Sequence, residues 1–130
     1  MPTPPREPQP AHRPTVYFDG ACPVCRREIA VYQRGAGAEA VCWVDASACP
    51  PEALGGDLPR EQALARLHLR QADGRLVRGA AAFLAMWTAL PQHPGLARLA
   101  RVLDRPALVR LLDLAYGGFL RLRRLWRPAR

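Results

Sequence analysis

A chain of 130 residues, 49% hydrophobic and 23% charged, is long enough for one compact domain and too short for two. Its aliphatic content excludes a disordered tail, and four Cys are too sparse for a disulfide-stapled secreted mini-protein. The net charge of +8 is carried by Arg without any Lys and is concentrated at the end of the chain: residues 98–130 hold nine Arg against Asp104 and Asp113, whereas residues 1–97 are nearly neutral.

Residues 1–14 form a proline-rich arm that fits neither a signal peptide nor a helix nor a central strand. It is expected to be a disordered or extended leader without chemistry, and the setting to be reducing and cytoplasmic. Thr15–Phe18 is β-branched and aromatic and ends at Asp19-Gly20, which reads as a buried strand and a turn. Pro23 suits the first position of a helix, and Cys25, Ile29 and Tyr32 recur at i, i+4, i+7 as an inward stripe until Gly35 and Gly37 stop it. Val41–Val44 is apolar without alternation, as expected of a strand covered on both faces in a parallel arrangement. A loop leads to a short helix at Arg60–Arg66. Leu67–Arg70 and Arg75–Arg78 alternate around Asp73-Gly74, a pair that favours a type I′ hairpin. Ala80–Leu90 is a buried helix stopped by Pro91; interrupted by Thr88, it is shorter than the roughly 18 residues that span a bilayer. Helices over Gly95–Asp104 and Pro106–Trp126 follow. Up to residue 90 the order is β-α-β-α-β-β-α, that of the thioredoxin fold. The fold class is therefore α/β, with a thioredoxin-like core over residues 15–93 and an α-helical C-terminal extension over residues 94–130 that ends in a basic tail.

Cys22-Pro23-Val24-Cys25 places a C-x-x-C where the first strand gives way to the first helix. The unpaired N–H groups and positive dipole end there stabilise a thiolate, so Cys22 is the expected nucleophile and Cys25, on the inward stripe, the resolving thiol. Arg26 at i+4 from Cys22, or the adjacent Arg27, can favour the charged sulfur; the plainer reading of both is an exposed, solvated face. Asp19 reads as a turn and cap residue and also as the proton acceptor for the Cys25 thiol, two compatible roles.

The run Tyr17-Phe18-Asp19-Gly20-Ala21-Cys22-Pro23-Val24-Cys25 resembles the signature of the DCC-type thiol-disulfide oxidoreductase family, named for its Asp-x-x-Cys-x-x-Cys motif. The resemblance extends over roughly residues 15–120, through Val44-Asp45, the Leu-His-Leu-Arg strand, the Asp-Gly hairpin, and Gly79 ahead of an apolar helix. It implies a thioredoxin-like fold and dithiol-disulfide exchange carried by Asp19, Cys22 and Cys25. Thioredoxins place a substrate-docking cis-proline before the third strand; here Ala65-Arg66 precede Leu67, and no proline holds that position.

The remaining candidates read more plainly. Cys42 and Cys49 are six residues apart, which does not complete a zinc ribbon begun by the C-x-x-C. Cys42 is expected to be buried, and Cys49 exposed and available for an accessory disulfide. His68 points to the opposite face from Leu67 and Leu69, as a satisfied or solvent-facing side chain, and Trp43 and Trp87 belong to the core. His12 and His93 suggest nothing. Leu108, Leu111, Leu112, Ala115 and Phe119 read as one apolar helix face leading to residues 121–130, a basic end that is either solvated or in weak contact with an anionic membrane or a membrane protein; nucleic acid is the least favoured partner. That end is expected to be separable from the redox motif. The expected activity is thiol-disulfide exchange with protein or small-molecule disulfides, without metal or organic cofactor. The alternative is a non-catalytic thioredoxin-like module that docks a membrane or protein partner through its basic helix.

Overall fold

The computed structural model describes residues 13–90 and 94–125. Its strands are β1 (Thr15–Phe18), β2 (Cys42–Asp45), β3 (His68–Arg70) and β4 (Leu76–Arg78), and its helices are α1 (Pro23–Arg34), α2 (Arg60–Ala65), α3 (Ala80–Ala89), α4 (Pro94–Leu103) and α5 (Pro106–Arg123). The sheet order is β2-β1-β3-β4, with β1 parallel to β2, and β3 antiparallel to both β1 and β4. This is a mixed, thioredoxin-like sheet with a helical C-terminal part, in the expected chain order.

Alternation across the pleat builds a core on each face. Val16 and Phe18 join Leu69, Ile29 and Tyr32 of α1, and Ala82 and Met86 of α3. Tyr17 turns the other way, toward Leu54, Leu58, Ala63 and Leu64. With α1 and α3 on one side and α2 on the other, all four residues of β1 are buried, and the turn that follows β1 is anchored at its start.

Several expectations need correction. β2 is an edge strand, and all its residues are half-buried: β3 takes the other side of β1, so the covering elements centre on β1 and β3. Cys42 shares that partial exposure. Cys49 is half-buried rather than exposed, because it packs against the second core while its carbonyl accepts Arg60 Nη2 at 2.7 Å. The hairpin turn is not type I′, which needs positive φ at two central residues. Here Gly74 alone is left-handed, with φ +92. The Gly74 N–H donates to the Gln71 carbonyl at 2.9 Å, so the connection is longer than two residues.

α3 is apolar on every side because the sheet, α4 and α5 enclose it. α5 is fastened to the sheet and to α3 by two side chains. Asp113 accepts the Ala80 N–H at 3.2 Å, capping α3, and lies 3.4 Å from Arg66 Nη1. Tyr116 Oη accepts the Leu67 N–H at 2.9 Å. Gly79, with φ +65, is required beside this joint, since a Cβ there would overlap the Asp113 carboxylate. The inward side of α5 therefore runs through Asp113, Tyr116, Phe119 and Arg123. Leu111 and Ala115, expected inward, are exposed. The expectations for residues 1–12, for Pro91 and His93, and for residues 126–130 concern positions outside the described residues.

Candidate active site

Cys22 is the N-cap of α1, with extended backbone (φ −84, ψ 117) and Pro23 behind it at the first helical position. Its Sγ accepts the Cys25 N–H at 3.4 Å, and its carbonyl accepts the Arg26 N–H at 2.9 Å. The sulfur thus satisfies one of the helix's orphan donors, a task that a thiolate performs better than a thiol.

The turn leading to Cys22 is held at both ends. Asp19 Oδ1 accepts the Ala21 N–H at 3.0 Å, and the Asp19 carbonyl accepts the Cys22 N–H at 3.2 Å. Asp45, at the end of β2, accepts the Gly20 N–H at 2.9 Å, the Ser47 N–H at 2.9 Å and the Ser47 hydroxyl at 2.6 Å. Burial acts to raise the Asp45 carboxyl, but these hydrogen bonds and the nearby charge of Arg26 outweigh it and hold it below the usual carboxylate range. Gly20 is needed for this approach, because a Cβ there would overlap the Asp45 carboxylate.

The two thiols differ in environment. Ile29 and Tyr32 are buried as the stripe requires, whereas Cys25 is half-buried and Cys22 has no exposed surface. Burial, reinforced by the hydrogen bond with Cys22, pushes the Cys25 thiol from 9.0 up to about 12, against the pull of Arg123. Cys25 is thus a thiol at neutral pH.

The guanidinium that reaches the pair comes from the far end of the chain. Arg26 and Arg27 are exposed, and Arg26 acts on Asp45. Arg123, in the last turn of α5, is 8% exposed. Its Nη1 lies 3.9 Å from Cys25 Sγ and 3.8 Å from Asp19 Oδ2. Its Nη2 donates to the carbonyls of Leu64 at 2.9 Å and Ala65 at 3.4 Å. Sequence reasoning placed this residue in a solvated or membrane-facing end. Once Asp113 and Tyr116 seat α5, Arg123 falls on its inward side with Tyr116 and Phe119, at i, i+3, i+7. Arg123 therefore ties the start of the basic end to the motif.

Glu28 was also missed. It follows Cys25 by one turn, and burial raises its carboxyl despite a hydrogen bond with Tyr32, whose hydroxyl accepts Trp87 Nε1 at 3.0 Å. Asp19, Cys25, Glu28, Tyr116 and Arg123 line one small cavity with about 20 Å³ open to a water centre, room for one water molecule. His68 is buried, with Nδ1 2.9 Å from the Arg66 carbonyl, and burial lowers its pKa. It is a satisfied core side chain. Among the described residues, no three His, Cys, Asp or Glu side chains gather as a metal site would require, and no helix is long and apolar enough to cross a membrane.

No curated protein and no solved structure matches the chain at a significant level. A match to the family described as DCC1-like thiol-disulfide oxidoreductase covers residues 16–128, spanning the β1 motif, the sheet and the α5 residue that meets it. The chain belongs to the DCC1-like thiol-disulfide oxidoreductase family.

Proposed function

We propose that Cys22 and Cys25 are the exchanging dithiol, with Cys22 as nucleophile, Cys25 as resolving thiol and Asp19 as proton acceptor. One observation carries the reading: the Cys22 sulfur caps the N-terminus of α1 by accepting the Cys25 N–H, while burial holds its neighbour as a thiol. Cys22 attacks a substrate disulfide and forms a mixed disulfide. Cys25 then loses its proton to Asp19 and attacks the Cys22 sulfur, so that the intramolecular disulfide forms and the substrate leaves as a second thiol. The substrate gains two electrons and the dithiol loses them; an external low-molecular-weight thiol reverses the oxidation. Because Cys22 is fully covered, a local opening precedes the attack. Cys25→Ser is expected to trap mixed disulfides and Cys22→Ser to form none. Trapping through Cys25 alone contradicts the assignment, and alkylation of both reduced thiols at the same slow rate favours the non-catalytic scaffold.

A second reading concerns location. Leu111, Leu114, Leu122 and Leu125 are exposed on α5 and the turn after it, beside the exposed Arg110, Arg121 and Arg124. This combination suits peripheral contact with an anionic membrane surface. Co-sedimentation with phosphatidylglycerol vesicles at low salt, released at high salt and weakened by Leu122→Ser with Leu125→Ser, is the expected result; no sedimentation at low salt contradicts it.

A further inference from the structure

A buried Arg needs partners, since guanidinium groups are rarely removed from water unless paired. Arg123 divides its two terminal nitrogens between two tasks. Nη2 is fixed by the Leu64 and Ala65 carbonyls at the end of α2. Nη1 is thereby left facing Asp19 Oδ2 at 3.8 Å and Cys25 Sγ at 3.9 Å. A Lys ammonium carries one point charge and cannot occupy both ends of this arrangement.

We propose that Arg123 is a positioning residue of the exchange reaction, holding Asp19 and Cys25 on one guanidinium nitrogen and stabilising the Cys25 thiolate as it attacks the mixed disulfide. The proposal rests on the reading of Cys25 as the resolving thiol. Before the step the negative charge is on Asp19. When the proton passes from Cys25 Sγ to the Asp19 carboxylate, the charge moves to sulfur, to an atom almost equally distant from the same Nη1. The ion pair with Arg123 therefore persists through the transfer while the carboxyl becomes neutral. The thiolate then forms the bond to the Cys22 sulfur, the bond from Cys22 to the substrate sulfur breaks, and the departing thiolate takes up a proton. In the resting dithiol Cys25 is neutral and asks little of the guanidinium, so the contact strengthens as the reaction proceeds. The charged and titratable groups facing Cys25 are Cys22 and Glu28 from α1, Asp19 from the turn before it, Arg66 ahead of β3, and Tyr116 and Arg123 from α5. Of these, Arg123 supplies a positive charge in contact with the sulfur.

The test uses the full reduced chain carrying Cys42→Ala and Cys49→Ala, so that the two half-buried thiols outside the motif do not react, and 5,5′-dithiobis(2-nitrobenzoate) as the probe disulfide. The first thionitrobenzoate released reports attack by Cys22, and the second reports resolution by Cys25. In Arg123→Gln the ratio of second-phase to first-phase rate is expected to fall about tenfold near neutral pH, and the second-phase midpoint to move about one unit toward higher pH. Arg123→Lys, which keeps the charge without the fork, is expected to lie between Gln and the parent; if Gln does not fold, an upward shift of the midpoint in Arg123→Lys supports the proposal and an unmoved midpoint overturns it. Two phases that slow together, with an unmoved midpoint, overturn the proposal by making Arg123 merely structural. A first phase that survives in Cys22→Ser overturns the exchange reading itself, a different failure.

Discussion

In the last turn of α5 the Arg123 guanidinium lies 3.8 Å from the Asp19 carboxylate, and the two side chains are only 10% and 3% exposed. Removing one partner of a buried pair leaves the other charge desolvated, at about 3–5 kcal/mol. Arg123→Met is expected to lower the unfolding free energy by about 3 kcal/mol. The exposed Arg121 and Arg124, replaced the same way, should stay within about 0.5 kcal/mol of the parent. Urea denaturation followed by Trp fluorescence checks this, and equal effects at the three positions contradict it. Truncation after Leu120 removes the same guanidinium and is expected to disturb the thiols as well.

Asp19→Asn separates the proton acceptor from the cap. Asn retains an oxygen for the Ala21 N–H but has little basicity, so release of the mixed disulfide should slow about tenfold or more while the first attack changes little. Rapid-quench measurement of the mixed disulfide distinguishes the steps. A variant that is silent in both makes Asp19 a capping residue alone.

The Cys25 thiol gives the reduced protein a distinctive alkaline behaviour. It ionises near 9.0 in the unfolded chain and near about 12 in the folded one, chiefly through burial. A raised folded pKa contributes stability that is complete below pH 9 and lost as the pH climbs toward about 12. Tyr116, pushed up from 10.0 to about 12 by burial, adds to this loss in either redox state. The reduced protein should therefore lose more stability across that window than the oxidised protein, whose Cys25 has no proton to release. Reduced Cys25→Ser should follow the oxidised curve; denaturation midpoints that fall in parallel for all three contradict the argument.

Gly20→Ala tests the tie between the motif turn and β2. The new methyl would meet the Asp45 carboxylate, displacing it from the Gly20 and Ser47 donors, and overpacking of this kind typically costs about 1–3 kcal/mol. A lowered melting temperature together with slower Cys22 alkylation is the expected pair of results. An unchanged alkylation rate would mean that the turn does not position the sulfur.

What was legible in the sequence was local. β1, the Pro23 start of α1, the antiparallel β3–β4 pair and the buried α3 follow from turn residues, apolar runs and spacing within a few residues. β2's edge position was not legible, because its apolar run resembles that of a fully covered strand and its place depends on β3 pairing with the far side of β1. Asp73-Gly74 suggested a two-residue turn, whereas the strands end far enough apart to require a longer one. The greatest gap was Arg123. Leu residues occur on both sides of α5, so the inward side could not be chosen from Leu111 or Leu112, and an Arg among many Arg looked like a solvated charge. Tertiary contacts with Asp19, Leu64 and Cys25 single it out.

Whether the dithiol cycles as a unit is decided by equilibrating the protein across glutathione buffers and counting the thiols that remain alkylatable at Cys22 and Cys25. The expected result is one two-electron transition in which both residues become protected together, and which disappears in Cys22→Ser and in Cys25→Ser. A midpoint near about −270 mV would mark a reductant of thioredoxin type, and one near about −120 mV an oxidant. If Cys22 and Cys25 stay alkylatable throughout, or each acquires its own glutathione adduct without pairing, the exchange mechanism is contradicted.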